Sequence, residues 1–173
     1  MALLLHCAQS CIWLILPILL MNLGLAAKLP KLYQPAFFSA QIPPWLTQAE
    51  NALRIVIFIL PLFMKLQLKS PMEKIGFVLY LCGSALYLLS WLMQIAFARS
   101  AWSTSRLGFM APSYTPIVWL CGIALVGDSL YLPIYWSPCL YIGTAVAFLF
   151  FHNLHTWHVY TRSVKTSGNT FTR

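Results

Sequence analysis

Acidic side chains are almost missing from this chain. Its 173 residues carry three, Glu50, Glu73 and Asp128. Charged residues of both signs make up 8%, against about 25% in soluble domains. A soluble core of this length would need a polar surface that the chain cannot supply. Signatures of known chemistry are missing as well. There is no phosphate-binding loop, no GxGxxG, no HExxH, no GxSxG and no ferredoxin-like cysteine run. The five cysteines form no CxxC pair, which removes the commonest redox and zinc spacings. Lys and Arg are absent from the first eleven residues. The usual basic start of a signal peptide is therefore lacking, and the first apolar stretch reads as a retained helix.

What the chain has in abundance is apolar sequence. Hydrophobic residues account for 60% and aromatic residues for 15%, and mean hydropathy is +0.76. Five long apolar stretches fall at 3–25, 53–68, 75–98, 117–135 and 139–157. A bilayer core of about 30 Å takes about 20 helical residues. The expected fold class is therefore all-α, a polytopic integral membrane protein built as a five-helix bundle. Start signals refine the boundaries. Thr47 to Glu50 and Ser70 to Glu73 read as capping boxes, with Pro71 at a first helical position. Thr115-Pro116 and Ser137-Pro138 repeat a cap-then-proline pattern. Expected helices are 2–26, 47–68, 71–99, 116–135 and 138–161, in a single domain 1–162. The fourth could instead run from about 107 to 127, bent at Pro112 or Pro116. The polar tail 163–173 is expected to be disordered.

Lys and Arg set the orientation. Eight of the eleven fall on the face shared by the first loop, the third loop and the tail, and three (Lys65, Lys69, Lys74) on the other. The positive-inside rule puts the N-terminus outside and the C-terminus in the cytoplasm, in a plasma (inner) membrane. Basic residues beside apolar helices read as topology signals and contacts to anionic lipid, and not as a nucleic-acid surface. Cys7, Cys11 and Cys139 share the outer face, so a disulfide between Cys139 and one of the others is an option.

Ionisable groups inside a bilayer are costly, and each is a site candidate by default. Four helices bring polar residues to the cytoplasmic half: Asn22; Glu50, Asn51 and Arg54; Ser90 and Gln94; His152, Asn153, His155 and His158. The histidines stand three apart, so successive pairs touch on a helix. His152 and His155 are candidate catalytic groups with Glu50, and candidate ligands for a transition metal. The competing reading is an interfacial helix end, where histidine is comfortable. The helical angle separates His152 from His158, so the three should not converge. A haem would need axial histidines on two helices, and a monomer of this chain does not supply them. Arg54, Asn51, Gln94 and Asn22 are candidate ligand-binding residues, with Arg54 on a headgroup. Asp128 is a candidate transport carboxylate if helix four reaches it, and an ordinary loop residue if the helix stops at Gly127. Gly143 and Ala147 read as a small-xxx-small pair for close helix approach.

Three functions follow as expectations. The first is binding of a lipophilic ligand or a membrane partner subunit. The second is a lipid-directed enzyme with a His/Glu/Arg site on the cytoplasmic side. The third is a small homo-oligomeric transporter using Asp128.

Overall fold

The computed structural model describes residues 9–170, with side chains through residue 164. Among these the fold is all-helical, with no strand. Helix α1 is Ile12–Ala26, α2 Pro35–Phe38, α3 Pro44–Ile59, α4 Pro71–Ala96, α5 Ala101–Thr104, α6 Arg106–Tyr114, α7 Pro116–Val126 and α8 Pro138–Thr170. Three segments are long and apolar enough to cross a membrane: Pro71–Ala96, Arg106–Val126 and Pro138–Val164. This supports a membrane location. Helix α1 is apolar but has only 15 residues, and α3 has 16.

The differences from the expected boundaries have local causes. Helix α3 begins at Pro44, with Pro43 at the cap and no side-chain cap. Thr47 to Glu50 is therefore helix interior, and Glu50 is turned inward instead of back to the chain start. The same helix stops at Ile59. Pro61 follows in a 3₁₀ turn, Leu60–Leu62, because proline has no N–H to extend the ladder. The expected run to 68 becomes extended backbone. The fourth helix spans Arg106–Val126, bent at Thr115-Pro116, which is the alternative weighed above in place of 116–135. Thr115 has helical dihedrals and caps nothing; its hydroxyl donates to the Ala111 carbonyl at 2.8 Å. The start is set further back by Ser105, whose side chain accepts from the Gly108 N–H at 3.1 Å. Helix α8 continues to Thr170, into the stretch expected to be disordered. The Ser70 capping box forms in both directions: Glu73 N–H donates to Ser70 Oγ at 3.2 Å, and Ser70 N–H donates to Glu73 Oε2 at 2.7 Å.

Helices α4 and α7 pack along each other, as do α3 and α8, and α8 also touches α6 and α7. The inner stripe of α4 is Glu73, Gly76, Tyr80, Gly83, Tyr87, Ser90 and Gln94. Its spacing of three and four keeps one seam facing inward. That seam is small or polar, while Ile75, Val78, Leu81 and Leu89 face outward. The glycines set the separation. A Cβ on Gly83 would lie 2.4 Å from the Trp119 backbone N, and one on Gly122 would lie 2.4 Å from the Tyr80 backbone N. Gly143 has nothing within 4 Å of its would-be Cβ. The close approach expected at Gly143 is thus made by Gly76, Gly83 and Gly122.

One end of the bundle is closed by three extended segments. Cys11 N–H donates to Met64 O at 2.9 Å, Leu66 N–H to Gln9 O at 2.7 Å, Lys65 N–H to Ser129 O at 2.9 Å, and Tyr131 N–H to Phe63 O at 3.0 Å. These bonds satisfy backbone that the shortened helices leave open.

Candidate functional site

The other end of the bundle holds the polar cluster. Glu50 is 1% exposed, held there by the apolar face that α3 presents to α8. A carboxylate at such a position needs partners, because burial without them is expensive. Three are present. Arg54, one turn along α3, pairs with Oε1. His152 Nδ1 stands 2.9 Å from the same oxygen. His155 Nδ1 stands 2.6 Å from Oε2. The three-residue spacing on α8 is what brings both imidazoles to one carboxylate.

Hydrogen-bond counting locates the protons. His155 Nε2 lies 3.1 Å from the Phe38 carbonyl oxygen, which can only accept, so Nε2 carries hydrogen. Its Nδ1 faces a carboxylate oxygen. Either His155 is an imidazolium donating twice, or Glu50 holds the proton and donates to Nδ1. One proton is thus shared across the 2.6 Å contact. His155 is 4% exposed and stacks on the Phe38 ring at 4.7 Å. Oxygen Oε1 accepts from Arg54 and from His152. That fixes Nδ1 of His152 as a donor and leaves its Nε2 without a partner among the described residues.

A cavity of about 360 Å³ opens beside this cluster, within the size range of small-molecule sites. Its polar lining comes from Asn22, Arg54, Tyr87, Ser113, His152 and Thr156. The rest is apolar and aromatic, with Phe58, Trp91, Phe109, Trp119 and Phe148 among the walls. Tyr87 donates to Asn22 Oδ1 at 2.9 Å, which leaves the Asn22 amide hydrogens unspent. The Trp119 indole N–H is buried and has no partner among the described residues. Phe148 stacks on His152, with ring centroids 5.4 Å apart and planes 8° apart. The connection between α1 and α3 covers one side, contributing Tyr33 and Phe38. It is pinned by Tyr33 donating to the Phe109 carbonyl at 2.7 Å and by Arg162 donating to the Phe37 and Ala40 carbonyls.

The structure therefore assembles Glu50, Arg54, His152 and His155 at one point, with Asn22 on the same cavity. Asn51 is exposed and only steadies Arg54, accepting from it at 3.3 Å. Gln94 is elsewhere: buried, it donates to the Gly108 carbonyl at 2.6 Å and ties α4 to α6. Asn153 does the same between α8 and α6, through Ser113. His158 is exposed. Asp128 is exposed in the connection after α7, which ends at Val126 with Gly127 as its cap. That is the loop placement, and it removes the reason to assign Asp128 a transport role.

Among the described residues no group of three or more His, Cys, Asp or Glu could hold an ion. The Nδ1 atoms of His152 and His155 face the Glu50 carboxylate. Cys11 and Cys139 are free thiols, the first buried and the second exposed; Cys7 lies outside the described residues.

Sequence reasoning missed Tyr87, Trp119, Tyr33 and Phe38. Tyr87 had a signal, because it shares the three-and-four spacing of Ser90 and Gln94. Phe38 contributes a backbone carbonyl, for which a sequence has no mark. Comparison of the chain with protein-family models, with curated proteins and with solved structures finds no match.

Proposed function

We propose that this is a five-span membrane protein that binds a lipophilic molecule in the cavity, its oxygen-bearing head at Arg54, Asn22 and His152 and its apolar body against the aromatic walls. The observation that carries the reading is the meeting of an aromatic-walled cavity with a buried carboxylate cluster at one end. Convergent polar groups in an otherwise apolar pocket are the usual form of a ligand site. Spare donors on Asn22 and Arg54, and the unpaired Trp119 N–H, favour a head that accepts hydrogen bonds.

Two features support counting α1 and α3 as spans. Both turn large apolar side chains outward, Leu20 and Leu23 on one and Ile55 and Ile59 on the other. At about 1.5 Å per residue neither crosses about 30 Å alone. The paired extended segments add the missing length, and their hydrogen bonds meet the requirement that backbone at membrane depth be satisfied. The charge asymmetry then supports an outer N-terminus and a cytoplasmic C-terminus in the plasma membrane. The basic cytoplasmic face would contact anionic lipid.

The test is native mass spectrometry of the protein in mild detergent, with extraction of whatever it carries. The wild-type chain should retain a lipophilic adduct. Arg54→Ala, which removes the head contact, and Leu25→Trp, which fills the cavity, should each lose it. A bare wild-type protein, or an adduct indifferent to both changes, sinks the reading. For the topology, an impermeant maleimide should reach Cys139 from outside intact cells.

A further inference from the structure

Resting on the binding reading, we infer that Glu50 and His152 form an acid–base pair that takes a proton from the bound molecule, and that this molecule carries an acidic hydroxyl on a flat ring, a phenol or hydroquinone head with an apolar tail.

The first argument is the state of His152. Its Nδ1 is held at 2.9 Å by the Glu50 carboxylate, so the neutral ring presents a lone pair at Nε2. No group among the described residues meets that lone pair, and His152 lines the cavity. A carboxylate behind an imidazole fixes the tautomer and stabilises the imidazolium that forms when Nε2 takes a proton. The step balances simply. The ligand O–H bond breaks, its electron pair stays on oxygen, and the proton joins Nε2. Arg54 and the Asn22 amide stand on the same cavity to stabilise the oxyanion.

The second argument is shape. Phe148 lies nearly parallel to His152, and Trp119, Tyr87 and Phe109 complete a set of ring faces around the space. Ring faces favour a planar guest. A cavity of about 360 Å³ takes a ring head and a short length of tail. A phenolic hydroxyl (reference about 10 for tyrosine) lies about 3–4 units above an ordinary imidazolium (about 6.5), so His152 takes its proton only with the Glu50 carboxylate behind the ring and the Arg54 cation at the oxyanion.

The charged and titratable groups that share the cavity with His152 are Arg54 on α3, Tyr87 on α4 and Tyr33 in the connection, with Glu50 and His155 behind it in the cluster. Glu50 is a positioning residue here, acting through His152.

The experiment uses the full chain in detergent and three probes: an alkyl nitrophenol, whose phenolate absorbs in the visible, its methyl ether, and an alkylbenzene of the same tail. Binding is read from quenching of the cavity tryptophans, and ionisation from absorbance across pH. The expectation is that the bound phenol ionises at least one pH unit below the free probe, a tenfold shift in its acid–base ratio. His152→Gln should abolish that shift, with an unchanged circular dichroism spectrum showing that the variant folds. Glu50→Gln should move the pH profile part of the way back. A phenol that binds without shifting, or a shift that survives His152→Gln, overturns the inference and leaves the binding reading standing. Failure of all three probes to bind overturns both.

Discussion

The helix contact between α4 and α7 can be tested by one methyl group. Gly83→Ala places a Cβ 2.4 Å from the Trp119 backbone N. Ordinary contact begins at 3.4 Å, so the two helices must separate by about 1 Å. Backbone cannot swing aside as a side chain can, and overpacking of this kind costs about 1–3 kcal/mol. Against that, replacing glycine by alanine inside a helix gains about 0.8–1.0 kcal/mol. Gly143→Ala carries the same helical gain with open space around the new methyl. The propensity terms cancel between the two variants, and their difference isolates the steric cost at about 1–3 kcal/mol. Thermal melts in one detergent, or reversible unfolding in mixed micelles, would read it. Gly83→Ala should be the less stable variant by that margin, with Gly143→Ala at or slightly above the parent. Equal stability of the two variants, or greater damage at Gly143, would refute the packing described for α4 and α7.

Other outcomes follow from the same structure. Glu50→Leu should cost about 1–3 kcal/mol, because it leaves the buried His155 without its carboxylate partner; a denaturation titration checks this. Ser70→Ala should cost about 1 kcal/mol by opening the capping box at the start of α4, and amide exchange in that first turn should quicken. Arg162→Ala should release the connection between α1 and α3, seen as faster proteolytic cleavage near residues 36–41 with the rest of the chain intact. In a Cys7→Ser background, maleimide in detergent should modify Cys139 and spare Cys11, which is fully buried.

The helical, membrane-type character of the chain was plain in its composition, because an apolar bias of this size leaves few physical alternatives. Boundaries were less legible, and the reasons differ by element. Ser70 announced α4 correctly because its cap is local. Thr47 and Glu50 imitated the same motif, and a carboxylate's preference for two histidines 102 and 105 residues away outweighed the cap. The inner face of α4 was hard to see by hydrophobic periodicity, since glycine, tyrosine, serine and glutamine turn inward and leucine and valine turn out. That inversion is expected where the surroundings are apolar. The polar cluster could be anticipated residue by residue from depth and orientation. Its convergence on Glu50 could not, because it depends on how α3 and α8 rotate against each other. Gly143 misled because a small residue marks a close approach only when a neighbouring helix is there.

The paired extended segments at one end of the bundle also impose an order on synthesis. Residues 9–11 find their partner only when residues 63–66 have emerged, and that pair is completed only by residues 129–131. Helix α1 is therefore synthesised long before anything can hold it in register. Its register is settled only when residues 129–131 arrive to complete the set.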